Sequence, residues 1–593
     1  MKKERWVVSA KRADFQAIAD RFGIDPVIAR LIRNRDVTGE KEIEEYLFGD
    51  LEQLHDPLLM KDMERAADLI AEKIREKKPI RIIGDYDIDG VTATYILLTG
   101  LKDLGADVDV RIPDRIADGY GLNEHLVQFA ADEGRDMIVT CDNGIAAGSQ
   151  IRLAKELGMT VVVTDHHEVP FEEDENGERR YILPPADAVV NPKQKDCSYP
   201  FKSICGAVVV YKFIQVLYDL FQIDQKESEA FLEIAAMATV CDVMPLFDEN
   251  RILVKEGLRR IRQTEIVGLQ ALIEANHLED KKLSSYHFGF ILGPCINASG
   301  RLTSAKEALE LLLCKDKEIC RQKAEALTAL NAERKEMTAD GVKAAKAYLE
   351  STGHAKDKVL VVYLPDCHES IAGIIAGRMK EYYHKPVFVI TRTKEGLKGS
   401  GRSIEAYHMY QEMNKIKECF DKFGGHPMAA GLSMQEDRLE EFREKLNTNT
   451  MLTEEDFVEK VHIDVALPIS YLSESLIKEF ELLEPFGNEN TKPLFAQKDL
   501  YIKGMRVLGT TGRCLKLFLS DGSQTNIEAM YFGESDGFLE ELSCFCGKEE
   551  AQRVQRGLPH HIWMDVTYYP QINEWRGQKN IQIVIQNYRF KHQ

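Results

Sequence analysis

No pair of CxxC elements occurs in this 593-residue chain: twelve cysteines are scattered along it, and only Cys544 and Cys546 lie close together. That removes the thiolate framework of a structural zinc, and the modest cysteine count points to reduced thiols. Long uncharged apolar runs are also missing. The N-terminus, Met1-Lys2-Lys3-Glu4-Arg5-Trp6, runs into polar sequence without the apolar core of a signal peptide. The most apolar stretch, Ile204 to Phe221, carries Lys212, Gln215 and Asp219, which marks a buried helix before a membrane span. A cytoplasmic protein with no membrane partner is expected. Positive charge is short as well: 77 Lys and Arg face 97 Asp and Glu, a net charge of -20. This argues against a surface that coats nucleic acid, although a basic channel inside an acidic shell remains compatible. Internal repeats and low-complexity tracts are lacking.

What is present suits a packed soluble protein, with 44% hydrophobic and 29% charged residues. The length implies about four domains. Residues 1–75 read as an N-terminal segment of short helices. From Pro79 the pattern changes to short β-rich runs alternating with helices, which predicts βαβ units and a doubly wound parallel sheet over residues 76–302. Ile80-Arg81-Ile82-Ile83, Met137-Ile138-Val139-Thr140 and Val161-Val162-Val163-Thr164 are the clearest strands. Residues 303–355, rich in Ala, Glu, Lys and Leu, predict long connector helices. A second α/β unit is expected over 356–453. Residues 454–593 read as short alternating strands with turns such as Thr510-Thr511-Gly512 and Ser520-Asp521-Gly522, an OB-like β-barrel.

Function in a parallel sheet collects beyond the carboxyl ends of its strands. There the chain delivers Asp85-Tyr86-Asp87-Ile88-Asp89-Gly90, then Asp142, then Asp165-His166-His167, with Asp242 a fourth candidate after an apolar helix. Carboxylates mixed with imidazole and without thiolates suit Mn²⁺ or Mg²⁺. Two such ions would activate water and stabilise the leaving oxygen of a phosphoryl transfer. Each element alone has a bland alternative: a DxDxDG loop can be a solvated turn, and an aspartate at a strand end is often a helix cap. Their recurrence at consecutive strand ends is what points to a site.

The same residues resemble the DHH phosphoesterase superfamily. Gly293-Pro294-Cys295-Ile296-Asn297-Ala298-Ser299-Gly300-Arg301-Leu302 and Gly399-Ser400-Gly401-Arg402-Ser403 resemble the RecJ single-stranded-DNA exonucleases, as does Glu484-Pro485-Phe486-Gly487. Phe423-Gly424-Gly425-His426 with Ala429-Ala430-Gly431 is similar to the associated DHHA1 domain. The resemblance implies that Asp87 and Asp142 hold one metal, and that Asp89, Asp142, His166 and Asp242 hold the other. It leaves Asp85 as ligand or support, and turns His167 toward the phosphate. It implies substrate contacts at Arg115, Asn297, Arg301, Ser400, Arg402, Gly424, Gly425 and His426, in a cleft between the two α/β units. Tyr501, Phe518, Tyr531 and Phe532 are candidates for base stacking or for barrel core. Cys295 stands where the family usually has Arg, so a phosphate-binding charge is missing there or supplied elsewhere.

The expected activity is 5′→3′ exonucleolytic hydrolysis of single-stranded DNA to 5′-mononucleotides in recombination and repair. The expected partners are single-stranded DNA and other repair proteins, and the expected state is a monomer. The alternative is a phosphodiesterase of the same superfamily acting on short oligoribonucleotides or cyclic dinucleotides.

Overall fold

A computed structural model describes residues 4–592 except 116, 117, 120, 174–177, 510, 511, 524 and 576. Of the expected turn at 510–512, Thr510 and Thr511 lie outside the described residues. The chain divides into two compact units, residues 50–457 and residues 1–49 with 458–593.

In the larger unit two short 3-10 turns and the helix Met63–Arg75 lead into a five-stranded, all-parallel sheet. Its strands, in spatial order, are Val108–Arg111, Ile80–Ile83, Met137–Cys141, Thr160–Thr164 and Ala188–Val190. Strand Ile80–Ile83, first in the chain, therefore sits between the second and the third. The crossovers reverse direction there, and the crevice this opens at the carboxyl edge is where such sheets bind ligands. The three central strands are short and almost wholly buried, as expected where helices cover both faces, while the edge strand Val108–Arg111 is half-buried. Helix Ile88–Asp103 leaves the first strand capped by Asp87, whose side chain accepts the Gly90 amide at 3.1 Å. Helix Gly206–Leu220 is the apolar stretch read from sequence. Its Lys212 is fully buried, ion-paired to Glu249 at 2.8 Å, and Glu249 also accepts from the Tyr199 hydroxyl.

The expected connector is a 36-residue helix, Lys317–Thr352, preceded by the helix Ala305–Leu313. Asp316 caps it and Gly353, with φ of 75°, ends it. Beyond it lies a five-stranded mixed sheet in the order Lys422–Gly425, Ala429–Met434, Gly396–Arg402, Val387–Thr393, Leu360–Tyr363. Only the last pair is parallel. Among the described residues no helix is long and apolar enough to cross a membrane.

In the smaller unit five strands close into a barrel: Phe495–Leu508, Cys514–Ser520, Asn526–Tyr531, Gln578–His592 and Ile562–Trp575, the last pairing back to the first. Two features differ from the sequence reading. The N-terminal segment opens with a strand, Glu4–Val8, which pairs in parallel with Glu459–Ile463. Its helices share the barrel's apolar core through Ile28, Leu31 and Leu47. Helices Ser535–Cys546 and Lys548–Gln555 interrupt the strands, burying Phe538, Leu542, Ala551 and Val554 at helical spacing. Arg35 and Tyr46 both donate to Asn490 Oδ1 at 2.8 Å, and Asn490 in turn donates to the Leu483 and Pro485 carbonyls. That network fixes the Glu484-Pro485-Phe486-Gly487 segment.

Candidate metal centre and phosphate cavity

The carboxyl edge of the parallel sheet brings together Asp85, Asp87, Asp89, Asp142, His166 and Asp242, drawn from four segments. Asp85, Asp89, Asp142 and His166 are all at most 5% exposed. Packing five acids and an imidazole this tightly is unfavourable unless a cation neutralises them. The consequence shows in their proton affinities. Burial and then Asp87 push Asp85 up to about 8. Burial, Asp89 and Asp87 do the same to Asp242, also to about 8. Asp87 and Asp142 are likewise raised, by burial and then by Asp89.

The donor geometry fits divalent ions. His166 Nε2 lies 3.1 Å from Asp142 Oδ1, 3.5 Å from Asp89 Oδ2 and 3.7 Å from Asp242 Oδ2. Ligand atoms about 2.1 Å from an octahedral ion sit roughly 3–4 Å apart, the spacing found here. Two sets with no residue in common share this edge, Asp85, Asp87 and Asp142 forming one and Asp89, His166 and Asp242 the other, while a third, Asp142, His166 and His167, overlaps both. Asp85 Oδ1, His166 Nδ1 and Asp242 Oδ2 are buried without a hydrogen-bond partner. Two of these are oxygens with lone pairs to give.

The backbone is shaped around the acids. Asp142 adopts a left-handed φ of 61°, a conformation Asp tolerates better than most residues. Asn143 holds that turn by donating to the Ile83 and Cys141 carbonyls, which ties the first and third strand ends together. Asp242 ends the helix Leu232–Cys241; Val243, at φ 58°, and Met244 close it by donating to Val240 and Thr239. Asp89 accepts the Gly206 and Ala207 amides at 2.7 and 2.8 Å, so the positive end of helix Gly206–Leu220 faces this acid. Sequence reasoning missed these amides. Their only local signal is a Gly opening an apolar helix.

Asp165 is a support. Its Oδ2 accepts the Ile145 amide, and its Oδ1 accepts the His166 and His167 amides and faces His167 Nδ1 at 2.7 Å. Burial opposes ionisation of Asp165, but the His167 bond, the charges of His167 and His166 and the Ile145 amide together outweigh it and hold the acid below its usual range. Burial opposes the charge on His167 too, yet the same bond and the surrounding acids push it up to about 9. His167 Nδ1 is thereby engaged, while His166, lowered by burial, stays neutral as a ligand must.

Beside the acids is a cavity of about 360 Å³ lined by Arg115, Arg301, Ser370, Ser400 and Arg402, with Glu369 and Arg378 among the others. Arg301 donates to the Ser370 carbonyl at 2.8 Å, and burial, with Arg115 nearby, lowers it to about 10. Arg402 is lowered for the same two reasons. Two guanidiniums facing a third cation favour an anionic occupant. Arg115 itself lies over the Tyr86 ring at 4.9 Å.

The other expected substrate residues are placed differently. The Asn297 side-chain oxygen accepts the Ile88 amide at 2.9 Å, so it braces the aspartate loop. Gly300 packs under the same loop, where a Cβ would lie 2.1 Å from the Tyr86 carbonyl. Gly424, Gly431 and Ser400 stand abreast on three neighbouring strands. A Cβ on Gly424 or Gly431 would meet nothing within 4 Å, so an open track leads from Ser400 to the exposed edge carrying Gly425 and His426. Cys295 is fully buried; its thiol donates to the Ile291 carbonyl, and Asn331 donates to it at 3.4 Å. Asn331 also accepts from Arg334, a half-buried cation that sequence reasoning did not single out. Of the barrel aromatics, Phe518 and Phe532 are exposed, Tyr531 packs with Phe538 and Tyr588, and Tyr501 stacks on His560.

Comparisons with known proteins identify the family. Family models match in three places: the DHH family, N-terminal domain, over 79–239; the DHHA1 domain over 356–450; and the RecJ OB domain over 463–587. The single-stranded-DNA-specific exonuclease RecJ of Bacillus subtilis is 31% identical over 99% of this chain and 71% of its own length. RecJ of Salmonella typhimurium is 32% identical over 95% of each. Among solved structures, RecJ in complex with Mn²⁺ from Thermus thermophilus matches at a TM-score of 0.81 and 28% identity. That match covers 99% of this chain and 80% of that one. A manganese-bound exonuclease RecJ matches at 0.56 and 32%, covering 66% of this chain and 94% of that one. With three matching domains in the same order and relatives alike over nearly the whole chain, this protein belongs to the family of RecJ single-stranded-DNA-specific exonucleases.

Proposed function

We propose that this chain hydrolyses single-stranded DNA from its 5′ end, releasing 5′-mononucleotides in recombination and repair. The reading rests on one juxtaposition: two sets of divalent-cation donors sharing a sheet edge, with an arginine-lined cavity beside them. Asp87 and Asp142 would hold one ion, and Asp89, Asp142, His166 and Asp242 the other. Asp85 completes or supports the first set. Ions bound there supply an activated water and stabilise the departing oxygen.

The protein's own groups do the rest. Asp165 fixes His167 through Nδ1, so the imidazolium is a positioned cation for the scissile phosphate. Arg115, Arg301 and Arg402 with Ser400 take the terminal phosphate, which sets the end from which cleavage proceeds. The open glycine track guides the strand beyond the cavity, and the barrel by itself is a fold suited to single strands. A monomer suffices for this, because both donor sets and the cavity come from one chain.

The test is hydrolysis of a long single strand labelled at either end, with Mn²⁺ or Mg²⁺, comparing the wild type with Asp142→Ala. Early mononucleotide release from the 5′ label, abolished in the variant, is expected. Release from the 3′ label first would overturn the polarity. Undiminished activity of Asp142→Ala would overturn the metal assignment.

A further inference from the structure

Three apolar side chains near the carboxylate centre face solvent: Tyr286 is 59% exposed, Phe290 62% and Val243 63%. Tyr286 and Phe290 stack on each other, ring centroids 5.1 Å apart and planes at 23°. They belong to one continuous helical run, Ser285–His287, then a π-helical turn Phe288–Leu292, then Gly293–Leu302. Phe288, between them in sequence, is fully buried. Its carbonyl accepts from the thiol of Cys241, the residue before Asp242, at 3.3 Å. Gly293 comes so close to the same cysteine that a Cβ would lie 2.3 Å from its sulfur. The aromatic pair is thus anchored to the helix end that presents Asp242. The run it sits on continues into Asn297, which braces the aspartate loop, and Arg301 in the cavity.

Local geometry also favours a use for this patch. π-turns are rare and concentrate at functional sites. Val243 holds a left-handed φ of 58° with a β-branched side chain, a strained choice where glycine would close the helix freely. Exposed stacked rings offer a flat apolar face with no charge of their own. The polymer that must reach Asp242 carries flat apolar faces at every residue, and stacking on them is indifferent to base identity.

We propose that Tyr286 and Phe290 form a stacking platform for a nucleobase of the strand being hydrolysed, with Val243 beside the same helix end as its apolar edge. This rests on the exonuclease reading and adds to it a base contact on the metal side, distinct from the phosphate cavity.

The experiment measures first-cleavage kinetics on single-stranded oligonucleotides carrying one abasic residue at successive positions from the attacked end. The wild type is compared with Tyr286→Ala/Phe290→Ala and with Phe290→Trp, and thermal unfolding checks that each variant is folded. One or two adjacent abasic positions are expected to raise the wild-type KM about five- to hundredfold. The double alanine variant should show a raised KM on intact DNA, with the effect in KM more than kcat, and should lose the positional abasic penalty. Phe290→Trp should keep it. A double variant with wild-type KM or an unchanged abasic profile would overturn the platform and leave the patch to a protein partner. A wild type inactive on every single strand would instead overturn the exonuclease reading itself.

Discussion

Replacing Gly206 by Ala separates two opposing physical effects. Gly206 is the first residue of the helix Gly206–Leu220 and has no left-handed backbone, so by helix propensity alone Ala would stabilise the protein by up to about 1 kcal/mol. The added Cβ, however, would lie 2.7 Å from both Cβ and Oδ1 of Asp142. Restoring ordinary contact near 3.4 Å requires a shift of about 0.7 Å in either Asp142 or the helix end. Asp142 is pinned in a left-handed turn, and the Gly206 and Ala207 amides are bonded to Asp89. Either movement therefore displaces a carboxylate of the proposed metal centre. A misplacement approaching 1 Å costs about 10²-fold in rate, so kcat/KM for single-stranded DNA should fall by about two orders of magnitude. Overpacking should cost no more than about 1–3 kcal/mol of stability. Gly148, first residue of the helix Gly148–Glu156, is the matched control: a Cβ there meets nothing within 4 Å, and Gly148→Ala should leave kcat/KM unchanged. The assay is steady-state hydrolysis in excess Mn²⁺ with thermal unfolding of each variant. A Gly206→Ala enzyme within about threefold of wild type would refute the coupling of this helix end to the centre.

Lys212→Met should cost about 3–5 kcal/mol in urea unfolding, because it strands the fully buried Glu249; adding Glu249→Leu should recover most of the loss. His560 is held neutral, with Nε2 donating to the Ile502 carbonyl, Nδ1 accepting the Ile562 amide, and burial lowering its proton affinity. The unfolded imidazole, near 6.5, takes up a proton that the folded one resists. This group's stabilisation is therefore present above about pH 6.5 and lost as the pH falls below it. His560→Gln should flatten the decline in unfolding midpoint between pH 7 and 5; an unchanged slope would contradict it. Val243→Gly relieves about 1–2 kcal/mol of left-handed strain against about 0.5–1 kcal/mol of added chain freedom. A net gain of roughly 0.5–1 kcal/mol is expected by chemical denaturation, and a loss would contradict it.

Much of the centre was legible because it follows strands. Ile80–Ile83, Met137–Cys141 and Thr160–Thr164 are short β-rich runs, and the loops after them carry Asp85 to Asp89, Asp142 and His166. The strands Val108–Arg111 and Ala188–Val190 were harder to see, the first because Asp109 and Arg111 interrupt its apolar run and the second because it is three residues long. Long-range partners were not legible. A helix start at Gly206 is readable locally, but not that its amides bond an acid 117 residues earlier. The Glu4–Val8 strand exists through its pairing with residues 459–463, and nothing near it in sequence supplies that edge. Side-chain direction escaped as well. Asn297 and Asp165 both carry oxygens suited to ligand binding, and both spend them on backbone amides that shape the loops. Cys295 looked like a missing phosphate contact, yet its thiol is buried between Ile291 and Asn331.

The most direct test of the metal centre is anomalous scattering from crystals grown with Mn²⁺. Two peaks are predicted, one among Asp85, Asp87 and Asp142 and one among Asp89, His166 and Asp242, with Asp142 within reach of both. A single peak, or none within coordination distance of Asp142, would contradict a two-metal centre at this sheet edge.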